Sequence, residues 1–254
     1  MENSETGKFI GSVLLSSPVM DGEKLKEDLK NDWGIEVPVD VEEGNLVFET
    51  DGHMVVISLM PAPVPNGEVE YFAESNYFWR EAVDAAKEHQ AHIVVTVLPR
   101  ETSTPVEIGK LFVKLASSCL KQENATAIYT SGTVLAPDMY CAVAEDMKED
   151  EEMYPILDWI YFGLYKNEEG LNGYTYGLKA FGKDEIEVVG SRAKASELHE
   201  FLFNIVSYVL YEDVLLKDGE TIGFTEDEKL PITKSESTIL EGETIKIGYM
   251  TGEE

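Results

Sequence analysis

The sequence predicts an α+β protein made of two linked ferredoxin-like halves, each with helices packed on an antiparallel sheet. Three observations lead there. Apolar patterns of strand and helix period follow one another as β-α-β-β-α-β through the first half, residues 1–122. A similar order, with extra strands, runs through the second half, residues 123–254. The stretch Gly190 to Thr225 then joins a long amphipathic helix, a connector and a tight turn into a strand. The apolar stripe of that helix is wide and needs a sheet to cover it. No sequence repeat links the two halves.

Each element has its own warrant. Phe9 to Ser16 is apolar and rich in β-formers, a strand. Asp21 to Trp33 is a helix: Asp21 caps it, Leu25, Leu29 and Trp33 form its stripe, and Gly34 ends it. Val39 to Thr50 and Met54 to Met60 are strands joined by an Asp51-Gly52 hairpin turn, and Pro61 to Pro65 stops the second. Val69 to Gln90 reads as one long helix with Phe72, Trp79, Ala82, Val83 and Ala86 on its buried face. Ile93 to Leu98 is a continuous apolar run, hence a central strand. Pro105 to Lys121 is a helix burying Ile108, Phe112, Leu115 and Cys119.

The second half opens on a strand at Ala127 to Thr130 and a helix from Asp138 to Met147. The acidic run Glu145 to Glu152 must be exposed. Ile156 to Lys166, Gly173 to Phe181 and Glu185 to Val189 read as strands. In the long helix that follows, Leu198, Phe201, Leu202, Ile205 and Val209 fall at i, i+3, i+4, i+7 and i+11, with Ser191 as its N-cap. Lys217-Asp218-Gly219 is a turn, and strands follow at Thr221, Leu230 and Thr244. A short echo, Gly219-Glu-Thr-Ile222 and Gly242-Glu-Thr-Ile245, reads as two strands that begin after turns.

Composition bounds the function. Lys+Arg 20 against Asp+Glu 49 leaves a net charge of −29. Such a field repels phosphate backbones and anionic lipid, so neither nucleic acid nor membrane is expected as a partner. It suits high solubility or a basic partner. Two cysteines, Cys119 and Cys141, are too few for a disulfide framework and sit in apolar helical contexts, as buried free thiols would. No secretory signal is visible in MENSETGK, and no apolar run approaches the ~18 residues of a membrane span. A soluble cytoplasmic protein is expected.

Four segments carry a resemblance: HQAHIVVTVL (89–98), AIYTSGTVL (127–135), GYTYGLKAFGKDEIEV (173–188) and YVLYEDVLLKDGETIGF (208–224). They resemble, in the same order, segments of a family of uncharacterised bacterial proteins whose C-terminal module is domain of unknown function 4261. The resemblance runs from about Trp79 to the end of the chain, and YGLKAFGKDEIEV and LKDGETIGF are its most specific blocks. It implies an intracellular bacterial protein in which these blocks determine the fold, and it allows an immunity-type role in a toxin system. It transfers no cofactor and no catalytic residue.

Five sets of residues bear on chemistry. His89 and His92 form H-x-x-H but straddle a helix end and a strand start with no third ligand nearby, so His89 reads as a helix C-terminal cap rather than a metal ligand. Cys119 and Cys141 show no base within reach. Ser131-Gly132 and Ser16-Ser17 lack the hydrolase elbow, and neither G-x-G-x-x-G nor a P-loop is present. Glu185 and Glu187 would share one strand face near Asp218 in its turn. They could form a carboxylate site, although a solvated face and a turn residue explain them as well. Trp159, Tyr161, Tyr174 and Tyr176 would be a recognition strip if exposed and core if buried. The expected function is a non-enzymatic module that binds another protein, a basic toxin being one candidate, with no metal and no cofactor. The alternative is an enzyme working through Glu185, Glu187 and Asp218.

Overall fold

The computed structural model describes residues 6–100, 102–225 and 228–250. Most of the polar N-terminal stretch MENSETGK lies outside the described residues. The fold is α+β, with helices packed on two antiparallel-rich sheets. The chain divides into two compact units, residues 1–159 and 160–254.

The first unit contains β1 (Phe9–Leu15), α1 (Gly22–Trp33), β2 (Asn45–Thr50), β3 (His53–Met60), α2 (Glu68–Glu74), α3 (Ala82–Glu88), β4 (Ala91–Leu98), α4 (Pro105–Leu120), β5 (Ala125–Thr130), β6 (Thr133–Leu135), α5 (Pro137–Glu149) and α6 (Ile156–Trp159). The capping signals act as read. The Asp21 side chain accepts from the Lys24 N–H, and Gly34 closes α1 in the left-handed conformation. Asp51 and Gly52 turn the β2–β3 hairpin with φ of 47° and 80°.

The sheet order is β2-β3-β4-β1-β5-β6, antiparallel throughout. Following those pairings across, β1 and β2 run antiparallel with two strands between them. A split βαβ unit needs a parallel pair there, so the arrangement differs from the ferredoxin-like expectation. The strand at Ala125–Thr130, expected to open the second half, pairs with β1 and belongs to the first sheet.

Helices cover both faces of this sheet. Side chains alternate along a strand. On β1, Phe9 meets Phe112 of α4, whereas Leu14 joins Val69, Ala73, Ala82 and Ala86 of α2 and α3 in a separate cluster. The expected single helix from Val69 to Gln90 is broken between α2 and α3. There the Asn76 Oδ1 accepts from the Phe78 and Trp79 N–H groups, a local turn that competes with helical bonding.

The second unit contains β7 (Tyr161–Lys166), β8 (Leu171–Tyr176), a 3₁₀ turn (Leu178–Phe181), β9 (Ile186–Ser191), α7 (Ala195–Tyr211), β10 (Thr221–Ile222), β11 (Leu230–Glu236) and β12 (Glu243–Ile247). Its sheet order is β10-β11-β12-β9-β8-β7, with β12 parallel to β9 and the other pairs antiparallel. The whole α7 stripe is buried, Leu198 through Leu210. Phe201 stacks on Tyr249 at 3.9 Å, and Phe162 meets His199 and Phe203. Gly219 and Gly242 both have positive φ and both stand at turns before strands, as the echo implied.

Several boundaries moved: the strand expected from Val39 begins at Asn45, and the one expected from Gly173 to Phe181 ends at Tyr176, before the 3₁₀ turn. The segment expected as a strand from Ile156 begins with the helical turn α6 and becomes extended only at Tyr161. Ser191 is not the cap of α7; it ends β9, and its Oγ accepts from the Ala193 N–H. The helix starts after Lys194, whose N–H is taken by the Glu197 carboxylate at 2.9 Å. Among the described residues no helix is long and apolar enough to cross a membrane.

Candidate functional site

The carboxylates that sequence groups together are separated by their tasks. Glu185 stands at the bend before β9, buried, and its carboxylate faces the 3₁₀ turn. Its Oε1 accepts from the Gly177 and Lys179 N–H groups at 2.9 and 3.2 Å, and its Oε2 accepts from the Thr175 hydroxyl at 2.7 Å. Thr175 accepts in turn from the Ile186 N–H at 2.8 Å. Burial pushes the Glu185 carboxyl above its ordinary range, while these donors pull it back. Glu185 therefore ties Thr175, Gly177 and Lys179 together and holds the turn between β8 and β9.

Glu187 is buried too, but serves another segment. Its carboxylate accepts from the Ser237 hydroxyl, and from the Thr238 N–H at 3.2 Å and the Thr238 hydroxyl at 3.3 Å. Asp218 accepts from the Lys234 N–H at 2.9 Å, which pins its turn to β11. No hydrogen-bond partner is common to the three carboxylates among the described residues.

The aromatic set divides as well. Trp159 is buried on α6 of the first unit, against Tyr154 and close to Gly109. Tyr161, Tyr174 and Tyr165 form a ladder on the β7–β8 hairpin, with ring centroids 6.0 and 6.3 Å apart. Tyr174 lies over Gly163, where any Cβ would run into its ring. Tyr161 is buried, Tyr174 half-buried and Tyr176 exposed. Of the four candidates only Tyr176 is exposed, and with little more than a third of its surface.

The two histidines are both tied to backbone of the segment before α2. His89 Nε2 accepts from the Val64 N–H at 2.9 Å, which places its proton on Nδ1, where it is donated to the Ala86 carbonyl. The His89 side chain thus caps α3. His92 Nδ1 bonds the Ala62 carbonyl at 2.9 Å, and burial lowers its pKa. No group of three or more metal-ligating side chains exists among the described residues. Cys119 is buried and Cys141 partly so; both are free. Burial pushes the Cys119 thiol up, and burial with nearby Asp158 raises Cys141 to about 11, so neither is an activated nucleophile.

One polar feature was not read from the sequence. Asp158 is buried on α6, and among the described residues its Oδ2 has no hydrogen-bond partner; nor does the buried Tyr140 hydroxyl. Burial holds the Asp158 carboxyl well above the usual carboxylate range. Burial first, then proximity to Asp158, raises Tyr140. A signal was present: Asp158 is the lone charge in Ile156-Leu-Asp-Trp-Ile160, an otherwise apolar run.

Residues 174–248, within the second unit, match a family described as Domain of unknown function (DUF4261). The match is narrower than the resemblance, which extended back to about Trp79. It takes in the Glu185 hydrogen-bond unit and the LKDGETIGF turn, and it leaves the 89–98 and 127–135 segments outside. No curated protein and no solved structure matches the chain.

Proposed function

We propose that this chain is a non-enzymatic protein-binding module whose partner is basic, acting in the cytoplasm of a bacterium, with immunity to a basic toxin as the role that best fits. The observation that carries this reading is the charge: 49 acidic against 20 basic side chains, with a concentrated exposed block at Glu149, Asp150, Glu151 and Glu152. A field of that sign gathers a cationic partner before contact and raises its association rate. The carboxylate-enzyme alternative has weaker support, because Glu185, Glu187 and Asp218 are each engaged in holding a turn.

Stopped-flow association with a purified basic partner tests it. Added salt is expected to slow association steeply, since the Debye length shrinks from about 10 Å at 0.1 M to about 3 Å at 1 M. Neutralising Glu149, Asp150, Glu151 and Glu152 is expected to lower the on-rate and flatten that salt dependence. An unchanged rate in the neutralised protein would show that the acidity serves solubility alone.

A further inference from the structure

We propose that the uncovered half of one face of the first sheet docks a basic amphipathic segment of a partner protein. The choice of a basic partner rests on the function proposed above; the choice of surface rests on strand register and side-chain exposure.

Register lines up the face row by row. Leu14 and Ala127 pair across β1 and β5, and α2 and α3 bury both. Two rows further along the strands the helices no longer reach. There Val47, Val56, Thr96 and Ile10 stand side by side across β2, β3, β4 and β1. Met54 and Leu98 pair in the next row. Ile10 is 64% exposed, Val47 and Met54 51% each, and Leu98 48%. Single exposed apolar residues are ordinary, but a contiguous apolar face marks an interaction surface. The same strands show what such a face accepts, because their other end is already covered by two short apolar-faced helices.

Charge selects the occupant. Glu49 continues the Met54–Leu98 row on β2, Asp51 stands in the adjoining turn, and Glu68 opens α2; all three are exposed. Arg100 pairs with Glu49 and cancels its charge, so among the described residues Asp51 and Glu68 are the uncompensated acids of this rim, against Lys8 before β1. A second copy of the chain would bring another −29 to this rim. An amphipathic segment with lysine or arginine flanks brings both the apolar stripe and the opposite charge.

The test uses the full chain and synthetic peptides: a leucine–lysine amphipathic helix, its leucine–glutamate counterpart, and a scrambled leucine–lysine peptide. Affinities are measured for the native protein, for Ile10→Ser with Leu98→Ser, and for Tyr208→Ser as an exposed control on α7 of the second unit. Methyl NMR of Met54 in the native protein, with exposed Met139 of α5 as reference, reads the same contact without any variant. The leucine–lysine helix is expected to bind at least about tenfold more weakly to the double variant, to bind the control as it binds native protein, and to shift Met54 but not Met139. Undiminished binding to a folded double variant with Met54 unmoved would overturn the surface while leaving the basic-partner reading intact. Equal binding of the glutamate peptide with Met54 shifted would overturn the basic partner and keep the surface. Equal binding of the scrambled peptide would overturn the amphipathic segment. Absence of binding by every peptide would overturn both surface and partner. Native self-association abolished by the double variant would assign the face to a second copy and overturn the proposal.

Discussion

Asp158 in the first unit and Glu185 in the second are both carboxyls withdrawn from water, and they are treated in opposite ways. Glu185 receives two backbone N–H groups and a hydroxyl. Asp158 leaves Oδ2 without a partner among the described residues. Burial raises both pKa values, but donors oppose the rise only at Glu185. A buried carboxyl is thus either a hydrogen-bond hub that the local chain is folded around, or a group carried as the neutral acid because ionising it would leave an unsolvated charge. Only the first kind organises structure.

The largest expected effect follows directly. Glu185→Ala strands the Gly177 and Lys179 N–H groups and the Thr175 hydroxyl. At about 1–3 kcal/mol for each unsatisfied buried group, partly relieved by local relaxation, the expected loss is about 3–5 kcal/mol. Glu185→Gln keeps an acceptor for the two N–H groups and is expected to recover more than half of that loss. Denaturant unfolding of the two variants checks both values. A loss below about 1 kcal/mol for the alanine variant would break the comparison, because Glu185 would then be no hub.

The next effect is smaller and depends on pH. A carboxyl whose folded pKa lies above its unfolded value of about 3.9 keeps its proton in the folded state over the intervening range. Its contribution to stability is therefore full at acid pH and is lost as pH rises through the folded value. For Asp158 that window extends far upward, since its carboxyl is held well above the usual range. Asp158→Asn removes the titration and keeps the shape. The variant is expected to match the native protein near pH 4 and to become progressively the more stable of the two as pH rises. Melting temperatures from pH 4 to 9 decide it. Parallel profiles would mean that Asp158 ionises without penalty.

The two carboxyls also show how far the sequence reads. Helix α1 was legible from end to end because both of its stops are local: an acceptor at Asp21 and a left-handed glycine at Gly34. The α2–α3 break was hidden for the converse reason. Val69, Ala73, Ala82 and Ala86 all reach one core cluster, so apolar spacing carries on past the interruption. The turn that makes it is a single side chain, Asn76, bonding back to its own backbone. Glu185 was visible as a residue but not as a hub, because its donors lie on the preceding turn and appear only once β8 and β9 are paired. The bare sheet face was illegible in principle. Ile10, Val47, Met54 and Leu98 come from four strands and become neighbours only through register.

The smallest expected effect extends the comparison to carboxylates that water already solvates. Glu149, Asp150, Glu151 and Glu152 are exposed at and just after the end of α5. Their structural duties are slight. Asp150 Oδ1 accepts from the Glu152 N–H at 2.9 Å, a bond that an Asn carbonyl repeats, and Lys110 bonds the Glu151 main-chain carbonyl, which substitution leaves in place. Nothing there is desolvated as at Asp158 or bonded as at Glu185, so replacing all four with their amides removes charge and little else. Each change is expected to alter stability by less than about 0.5 kcal/mol. What remains is self-repulsion within a chain of net charge −29, and relieving it acts in the stabilising direction. The melting temperature of the fourfold variant is therefore expected to hold or rise slightly at low salt, and to coincide with the native value at high salt, where both fields are screened. A drop of several degrees at either ionic strength would show that this block carries structure, and the division between buried carboxyls that shape the fold and exposed ones that only charge it would fail.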